Sequence, residues 1–377
     1  MLPLSLYIHI PWCIQKCPYC DFNSHAIKSS TSEDGYITAL LSDLSSDLQR
    51  YGLNRPLNSI FIGGGTPSLF KPESIDRLLN GVKNQIAFVN GIEITLEANP
   101  GTFESKKFAE FRHLGINRLS IGIQSFNDAS LKRLGRVHSA HEAHLAAEIA
   151  DSAGFENFNL DLMFGLPDAN IVDAKNDIQA AIRLNPSHIS FYQLTLEPNT
   201  YFHKFPPQLP DDETIFTAQI LCQKILAEHG YQQYEVSAYS QPGKECKHNL
   251  NYWQFGDYIG IGAGAHGKIS QAIPDRIIRS FKFKSPEQYL KSKKGFGNSN
   301  IISQADLPLE FMMNHLRLKH GFSEETYQSR TGLTVNTLQP GLSDTIKQGL
   351  LVNQNCHYSC SEQGWQFLDT ILQKFVA

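Results

Sequence analysis

The feature that most constrains this chain is a repeated alternation of short apolar segments with longer amphipathic ones. A strand–helix–strand repeat of this kind builds a parallel sheet, because the helix returns the chain to the start of the next strand. Six or seven repeats predict an α/β fold with a full or partial (β/α) barrel, and a doubly wound open sheet is the alternative. The predicted strands are Leu4–Ile10, Ser59–Ile62, Glu93–Glu97, Arg118–Ile123, Phe158–Met163, His188–Leu194 and, as a seventh, Tyr234–Tyr239.

Residues that can bind ligands or metals follow the predicted strands. In both architectures, ligands bind at the carboxyl ends of parallel strands. Cys13 follows the first strand, and Gly63–Thr66 follow the second. Glu97 ends the third, Gln124 follows the fourth and Asp161 lies late in the fifth. The sequence therefore predicts one rim that collects the functional side chains.

The alternation ends near Gln241, which divides the chain into three parts. Residues 1–240 are expected to form the barrel, and 241–300 a glycine- and aromatic-rich extension in which Gln241–Ser270 is a loop. Residues 301–377 are expected to form a small helical domain, for which packing or partner contact is a better interpretation than DNA binding. The 33 Lys and Arg residues against 37 Asp and Glu give a net charge of −4, which argues against a nucleic-acid partner.

Cellular location is inferred from three further patterns. No run of eighteen apolar residues is present, so no transmembrane segment is expected. The residues before Cys13 contain neither Lys nor Arg and are typical of a strand, not a signal peptide. An odd count of seven cysteines then favours a reducing compartment over a disulfide scaffold, and we expect a cytoplasmic protein.

Three of the seven cysteines are close together as Cys13-x3-Cys17-x2-Cys20. Cysteine thiolates hold iron–sulfur clusters, and this spacing after a strand predicts a [4Fe–4S] cluster. Because no fourth cysteine lies nearby, one iron would be open to a small-molecule ligand. A zinc site completed by His9 or His25, or an unmetallated set, is the alternative.

Several separate motifs carry a family resemblance. With the cysteine motif they are Tyr7-Ile-His-Ile-Pro-Trp-Cys13, Gly63-Gly-Gly-Thr-Pro67, Arg118-Leu-Ser-Ile-Gly-Ile-Gln-Ser-Phe126 and Asp161-Leu-Met-Phe-Gly-Leu-Pro167. In this order they resemble the oxygen-independent coproporphyrinogen III oxidase-like family of radical S-adenosylmethionine (SAM) proteins. The resemblance covers nearly the whole chain.

The resemblance implies that SAM chelates the unique iron of the cluster, which can cleave it. It also implies which residues contact SAM. These are Tyr7, Tyr19, Gly64, Gly65, Thr66, Glu97, Gln124, Arg136 and Asp161. Each has an ordinary structural alternative when taken alone: a turn for the glycines, a cap for the carboxylates, a surface cation for Arg136.

Three features of the sequence separate the branches of this family. The oxidase pattern has a further cysteine two residues after the third and a longer segment before the cysteines, whereas this chain has Phe22 there and twelve residues before Cys13. His248-Asn-Leu-Asn-Tyr-Trp253 matches the H-N-x-x-Y-W motif of the heme-chaperone branch. That branch implies heme bound near His248, a common type of axial ligand, and transfer to an acceptor hemoprotein, which the resemblance suggests is respiratory.

The resemblance leaves the class of activity open. A heme chaperone is the favoured interpretation. An anaerobic coproporphyrinogen III oxidase that decarboxylates propionates is the enzymatic alternative, and a bare iron–sulfur or zinc scaffold is the third.

Other residues receive ordinary interpretations. Gly262-Ala-Gly-Ala-His-Gly267 fits G-x-G-x-x-G, but no clear helix follows, so we expect a glycine-rich wall near SAM instead of a dinucleotide fingerprint. Cys246 is expected to be a small buried residue, and His138 and His141 to be solvated.

Overall fold

The computed structural model describes residues 2–27, 32–101, 106–292 and 296–376. The predicted three-part division also includes residues that lie outside the described ranges, namely 1, 28–31, 102–105, 293–295 and 377. The strands are β1 (Leu4–Ile10), β2 (Trp12–Cys13), β3 (His25–Ala26), β4 (Leu57–Gly64), β5 (Phe88–Ala98), β6 (Arg118–Gln124), β7 (Phe158–Phe164), β8 (His188–Gln193), β9 (Gln232–Glu235), β10 (Ala238–Ser240), β11 (Asp257–Ile261), β12 (His266–Ser270), β13 (Ile277–Lys282), β14 (Phe296–Ile301), β15 (Phe322–Ser323), β16 (Leu351–Gln354) and β17 (His357–Cys360).

Helices connect the strands and build the carboxyl-terminal part. They are α1 (Glu33–Tyr51), α2 (Pro72–Lys83), α3 (Phe108–His113), α4 (Asp128–Arg133), α5 (Ala140–Ser152), α6 (Ile171–Arg183), α7 (Tyr201–Lys204), α8 (Asp212–Glu228), α9 (Lys247–Trp253), α10 (Pro286–Lys291), α11 (Leu307–His315), α12 (Glu324–Thr331), α13 (Gly341–Lys347), α14 (Glu362–Gln366) and α15 (Leu368–Leu372), with 3-10 turns at Pro67–Leu69, Val335–Leu338 and Gln373–Phe375. None of the described helices is both long enough and apolar enough to span a membrane.

One large sheet organises the fold. Twelve described strands pair in the order β14-β13-β12-β11-β1-β4-β5-β6-β7-β8-β10-β9. The seven from β11 to β8 run parallel, and antiparallel strands extend both sides. The predicted α/β fold with a parallel sheet is confirmed. The parallel arrangement brings the carboxyl ends of β1, β4, β5, β6 and β7 to one edge.

Two segments differ from the sequence-based prediction. The seventh strand, Tyr234–Tyr239, is wrong as a single strand, because Val236 and Ser237 form a turn and β9 and β10 pair antiparallel. The loop predicted over Gln241–Ser270 is also wrong, because this segment contains α9, β11 and β12. β11 pairs in parallel with β1, so this segment supplies a central strand of the sheet.

The described residues form three hydrophobic clusters, of which two hold most of these elements. The larger packs α1, α2 and the other connecting helices against the sheet, where Leu6, Ile8 and Ile10 of β1 are buried. The smaller lies in the carboxyl-terminal part around Phe311, which contacts the rings of Phe322 and Tyr327. Strands β15, β17 and β16 form a small antiparallel sheet there beside the predicted helices.

Candidate cluster and cofactor site

A cavity of about 370 Å³ opens at the carboxyl ends of the parallel strands. This volume lies within the range of small-molecule sites. The predicted site residues that line it are Cys13, Cys17, Cys20, Tyr19, Gly64, Gly65, Thr66, Glu97, Gln124, Arg136 and Asp161. We call it the first cavity. The structure therefore brings together the three cysteines and most of the SAM-contacting residues that the family resemblance implies.

Cys13 ends β2, and Cys17 and Cys20 lie in the turn-rich segment between β2 and β3, which we call the cysteine loop. All three cysteines are free thiols. The amide of Cys20 donates to the carbonyl of Cys17 at 3.1 Å, which folds the loop back on itself. Arg136 Nη1 donates to Cys17 Sγ at 3.6 Å. Burial raises the pKa of Cys13 and of Cys20. A cationic neighbour at a thiol favours the thiolate that binds metal.

The histidines of the zinc alternative have other partners. His9 Nδ1 pairs with the Tyr7 hydroxyl at 2.9 Å, and its Nε2 donates to the carbonyl of Asn23 at 2.9 Å. His25 Nε2 lies 3.3 Å from Asn23 Oδ1. Burial lowers the pKa of His9 to about 4. Within the described ranges, no group of three or more His, Cys, Asp or Glu side chains is arranged to hold a single metal ion.

The glycine loop after β4 packs directly on the cysteine loop. The amide of Gly65 donates to Ile10 O at 2.8 Å, and that of Thr66 donates to Trp12 O at 2.7 Å. A Cβ on Gly65 would lie 2.5 Å from Trp12 O, and one on Gly64, whose φ is +117°, would lie 2.5 Å from the His9 ring. The glycines are thus required by chain packing as well as by the cavity that they line.

Two carboxylates line the first cavity, Glu97 from β5 and Asp161 from β7. Glu97 accepts from the Gly64 amide at 2.9 Å, and burial raises its pKa to about 7. Asp161 accepts from Ser120 Oγ at 3.1 Å and from Asn159 Nδ2 at 2.8 Å, and burial raises its pKa as well. Such buried acceptors suit the amine and hydroxyl groups of a polar ligand.

Arg136 and Gln124 are fixed at the end of β6. Arg136 Nη2 donates to Asn99 Oδ1 at 2.8 Å and to Gly122 O at 2.7 Å. Gln124 has a φ of 70°, which is uncommon for a residue with a side chain, and its Oε1 accepts from the Tyr192 hydroxyl at 2.8 Å. Backbone strain of this kind is concentrated at functional sites.

Tyr7 and Tyr19 line different cavities. Tyr19 lines the first cavity and packs on Phe202, with ring centroids 6.4 Å apart. Tyr7 lines a neighbouring space of about 680 Å³, which we call the second cavity. Cys20, Phe22, Gly64 and Glu97 line both cavities.

His248 is buried on helix α9 and lines neither cavity. Its Nδ1 pairs with Ser59 Oγ at 3.0 Å, its Nε2 pairs with the Tyr252 hydroxyl at 3.1 Å, and its ring stacks on Phe61 at 5.1 Å. Burial lowers its pKa to about 3. The motif reaches both cavities through other residues, because Tyr252 lines the second and Trp253 the first.

The ordinary interpretations have mixed outcomes. Cys246 is fully buried, as predicted, and its Sγ lies 3.6 Å from Glu93 Oε1. His141 is exposed, as predicted. The prediction for His138 is wrong, because its ring is buried and pairs with Ile123 O at 3.1 Å. The turn at Gly262 and Gly264 joins two strands, which agrees with rejecting a dinucleotide fingerprint.

Sequence reasoning missed several polar residues of the first cavity. They include Arg118, Ser120, Asn159, His188, Ser190 and Tyr192. The signal was present as alternation, since every second residue of a barrel strand faces the interior. Ser120 and Gln124, Asn159 and Asp161, and Ser190 and Tyr192 are spaced in this way along apolar strands.

The first cavity fits an iron–sulfur cluster and a polar organic cofactor. Its wall supplies three thiols, which are the donors that such clusters use. Three buried donors on it, Arg118 Nε, Arg136 Nε and Trp253 Nε1, have no hydrogen-bond partner among the described residues. Unpaired buried donors are costly, so a ligand with acceptor atoms would satisfy them.

Known proteins share this sequence and fold. Residues 7–181 match the model of the radical SAM superfamily, and residues 302–367 match the HemN C-terminal domain. The fold is similar to that of coproporphyrinogen III oxidase (HemN) from Escherichia coli, with a TM-score of 0.82 and 21% identity over 99% of this chain and 90% of that one.

Full-length relatives are closer in sequence. Heme chaperone HemW of Escherichia coli K12 is 47% identical, and the match covers 100% of this chain and 98% of the relative. Heme chaperone HemW of Haemophilus influenzae is 49% identical over 99% and 98%. Fold and site together define a radical SAM protein with a HemN-type carboxyl-terminal domain. Within that class, the chain belongs to the HemW family.

Proposed function

We propose that this protein is a cytoplasmic heme chaperone that binds heme and transfers it to an acceptor hemoprotein. The observation that carries the proposal is the connection of the H-N-x-x-Y-W helix to both cavities beside the cysteine loop. The names of the HemW relatives support it. A respiratory hemoprotein is the proposed acceptor.

The cluster and SAM belong to this proposal. Cys13, Cys17 and Cys20 would hold the cluster, and a bound cluster would supply electrons and an open iron for SAM. Arg136 places positive charge beside Cys17 Sγ. Glu97 and Asp161 would accept from the amine and the ribose, while Tyr19 and the Gly64–Thr66 loop would form the walls.

His248 contributes to the heme site through Tyr252. Both of its ring nitrogens are hydrogen bonded, so coordination of iron would require the loss of one bond. The 3.1 Å hydrogen bond instead fixes the Tyr252 ring, which lines the second cavity. The centroids of the Tyr252 and Tyr258 rings are 4.2 Å apart. His248 therefore acts as a positioning residue for the motif.

The oxidase alternative is less well supported. Its fold is shared, but a fold alone does not fix an activity. Phe22 occupies the position of the oxidase-type cysteine, and its side chain is 61% exposed where it lines both cavities. An apolar ring here suits a flat hydrophobic ligand, and it cannot supply the chemistry of a thiol.

Two assays on the anaerobically reconstituted protein test the proposal. Heme binding is followed by absorption, and heme transfer is followed by the appearance of the spectrum of an added apo-hemoprotein. We expect binding and transfer, with no consumption of coproporphyrinogen. Consumption of coproporphyrinogen with release of 5′-deoxyadenosine would establish the oxidase instead, and a protein that contains only zinc would exclude both cluster-based functions.

A further inference from the structure

The second cavity carries a potential metal ligand that the motifs did not single out. Its volume of about 680 Å³ is within the range of sites for large organic ligands. His266, the first residue of β12, lines it. The turn that begins at Gly262 places this histidine, because Gly262 and Gly264 have φ values of +104° and +80° and redirect the chain after β11.

His266 is distinguished by its lack of partners. The rings of His9 and His248 each use both nitrogens in hydrogen bonds. The His266 ring makes no hydrogen bond to any described residue, and it is exposed to solvent. Its ring contacts Phe281, with centroids 6.0 Å apart. An imidazole with free nitrogens at a cavity is available to a metal.

The surroundings of the His266 ring lower its pKa. Partial burial lowers the pKa of His266, and the nearby cations Lys284 and Arg279 lower it further. A neutral imidazole nitrogen is the form that coordinates iron, so the direction of this shift agrees with a ligand role.

The remaining walls match the other parts of a heme. Phe22, Tyr252 and Tyr258 supply aromatic surface for a flat macrocycle. The exposed side chains of Lys16 and Lys284 supply ammonium groups for carboxylates, although Lys16 Nζ also donates to Phe22 O at 3.0 Å. Asp21 is an opposing charge on the same lining, so the propionates are assigned to the lysines.

We propose that the second cavity binds heme with His266 as an axial ligand of the iron and with Lys16 and Lys284 on the propionate carboxylates. This inference rests on the proposed heme-handling function. It locates the heme beside the cluster cavity, across the shared wall of Cys20, Phe22, Gly64 and Glu97. It also assigns coordination to a residue outside the H-N-x-x-Y-W motif.

The first experiment changes the ligand. Ferric heme is titrated into the reconstituted wild type and the variants His266→Ala, His266→Cys and His141→Ala, with detection by absorption and electron paramagnetic resonance. We expect His266→Ala to weaken binding by about tenfold, a loss of about 1.4 kcal/mol, and added imidazole to restore the wild-type spectrum. We expect His266→Cys to give a thiolate-ligated spectrum, and His141→Ala, a change at an exposed histidine on α5, to match wild type.

The outcomes separate the two proposals. If the folded wild type does not bind heme, the chaperone function and this inference both fail. If the wild type binds heme and both His266 variants show the wild-type spectrum and affinity, the inference alone is overturned. Circular dichroism of each variant verifies folding, which an exposed ring at the start of a strand is not expected to control.

The second experiment addresses the propionates. Lys284→Gln is compared with Lys291→Gln, which changes an exposed lysine of α10, using heme and its dimethyl ester. We expect Lys284→Gln to weaken heme binding several-fold and to leave ester binding unchanged, because the ester carries no charge for the ammonium group. An equal loss for both porphyrins, or no loss for heme, would contradict the lysine assignment.

Discussion

The guanidinium of Arg136 lies 3.6 Å from the sulfur of Cys17, although 119 residues separate them in the chain. The same side chain donates to Asn99 and Gly122, so its position is fixed by the ends of two strands. The sheet therefore holds this positive charge beside the cysteine loop, and substitution of Arg136 tests the proposed cluster.

Replacement of Arg136 by Gln should lower the reduction potential of the reconstituted cluster. The added electron makes a cluster more negative, and a nearby cation stabilises that state. Redox titration followed by electron paramagnetic resonance would measure the shift. Arg133→Gln, at a side chain that is 41% exposed, serves as the control. Equal potentials for Arg136→Gln and wild type would show that this contact does not tune a cluster.

Loss of any one of the three loop cysteines should abolish stable cluster assembly. Each thiolate would hold one iron, and removal of Cys17 leaves two ligands from the protein. Iron and sulfide analysis after anaerobic reconstitution of Cys17→Ala would measure this loss. Cys356→Ala removes an exposed cysteine of the carboxyl-terminal part and should retain the full iron content. Full iron content in Cys17→Ala would exclude the assigned ligand set.

Glu97 should make the stability of the ligand-free protein depend on pH. Burial raises its pKa from the usual 4.5 to about 7 in the folded chain, so the folded state binds this proton more tightly than the unfolded state. The resulting stabilisation, about 3 kcal/mol, is complete below pH 4.5 and is lost as the pH rises through about 7.

Urea unfolding of wild type and Glu97→Gln between these pH values measures the effect. The variant should show a smaller loss of unfolding free energy as pH rises, because its amide does not titrate. Comparison with wild type removes the contributions of other buried carboxyls. Glu110→Gln, at an exposed position of α3, should follow the wild-type curve. Parallel curves for wild type and Glu97→Gln would refute the prediction.

His248→Ala should destabilise the protein more than Tyr252→Phe does. Removal of the imidazole leaves a cavity beside Phe61 and takes a partner from both Ser59 and Tyr252, at a cost of about 2–4 kcal/mol. Tyr252→Phe keeps the ring and loses one hydrogen bond, at about 1–2 kcal/mol. Denaturant unfolding gives both values. A reversed order would contradict this ranking of the two side chains.

The prediction from sequence succeeded where one physical signal dominated. β1 has the predicted bounds, because its apolar residues Leu4, Leu6, Ile8 and Ile10 recur at every second position, which is the period of a strand. The prediction failed at β11, Asp257–Ile261, where Gly260 and the surrounding glycines resemble a loop. Gly260 is required there because a Cβ would lie 1.8 Å from His266 O, which is a tertiary contact that no local pattern reveals.

In the site, too, local sequence patterns predicted some residues correctly, and distant contacts determined the rest. The spacing of the cysteines and the strand-end positions of Glu97 and Asp161 predicted residues that the structure does bring to one cavity. The partners of His248 depend on Ser59, which is 189 positions away, so its hydrogen bonds could not be read from the motif. Tyr7 lines the second cavity, where its hydroxyl pairs with His9, whose ring in turn donates to the carbonyl of Asn23, 14 positions further along the chain.

The wall shared by the two cavities would couple the binding of the ligands that we propose for them. A ligand that moves Phe22 or neutralises Glu97 on one side alters the surface offered on the other. By reciprocity, whatever factor one ligand applies to the affinity of its neighbour is returned in equal measure. The heme affinity of protein that lacks the cluster or SAM would therefore differ from that of protein that holds both.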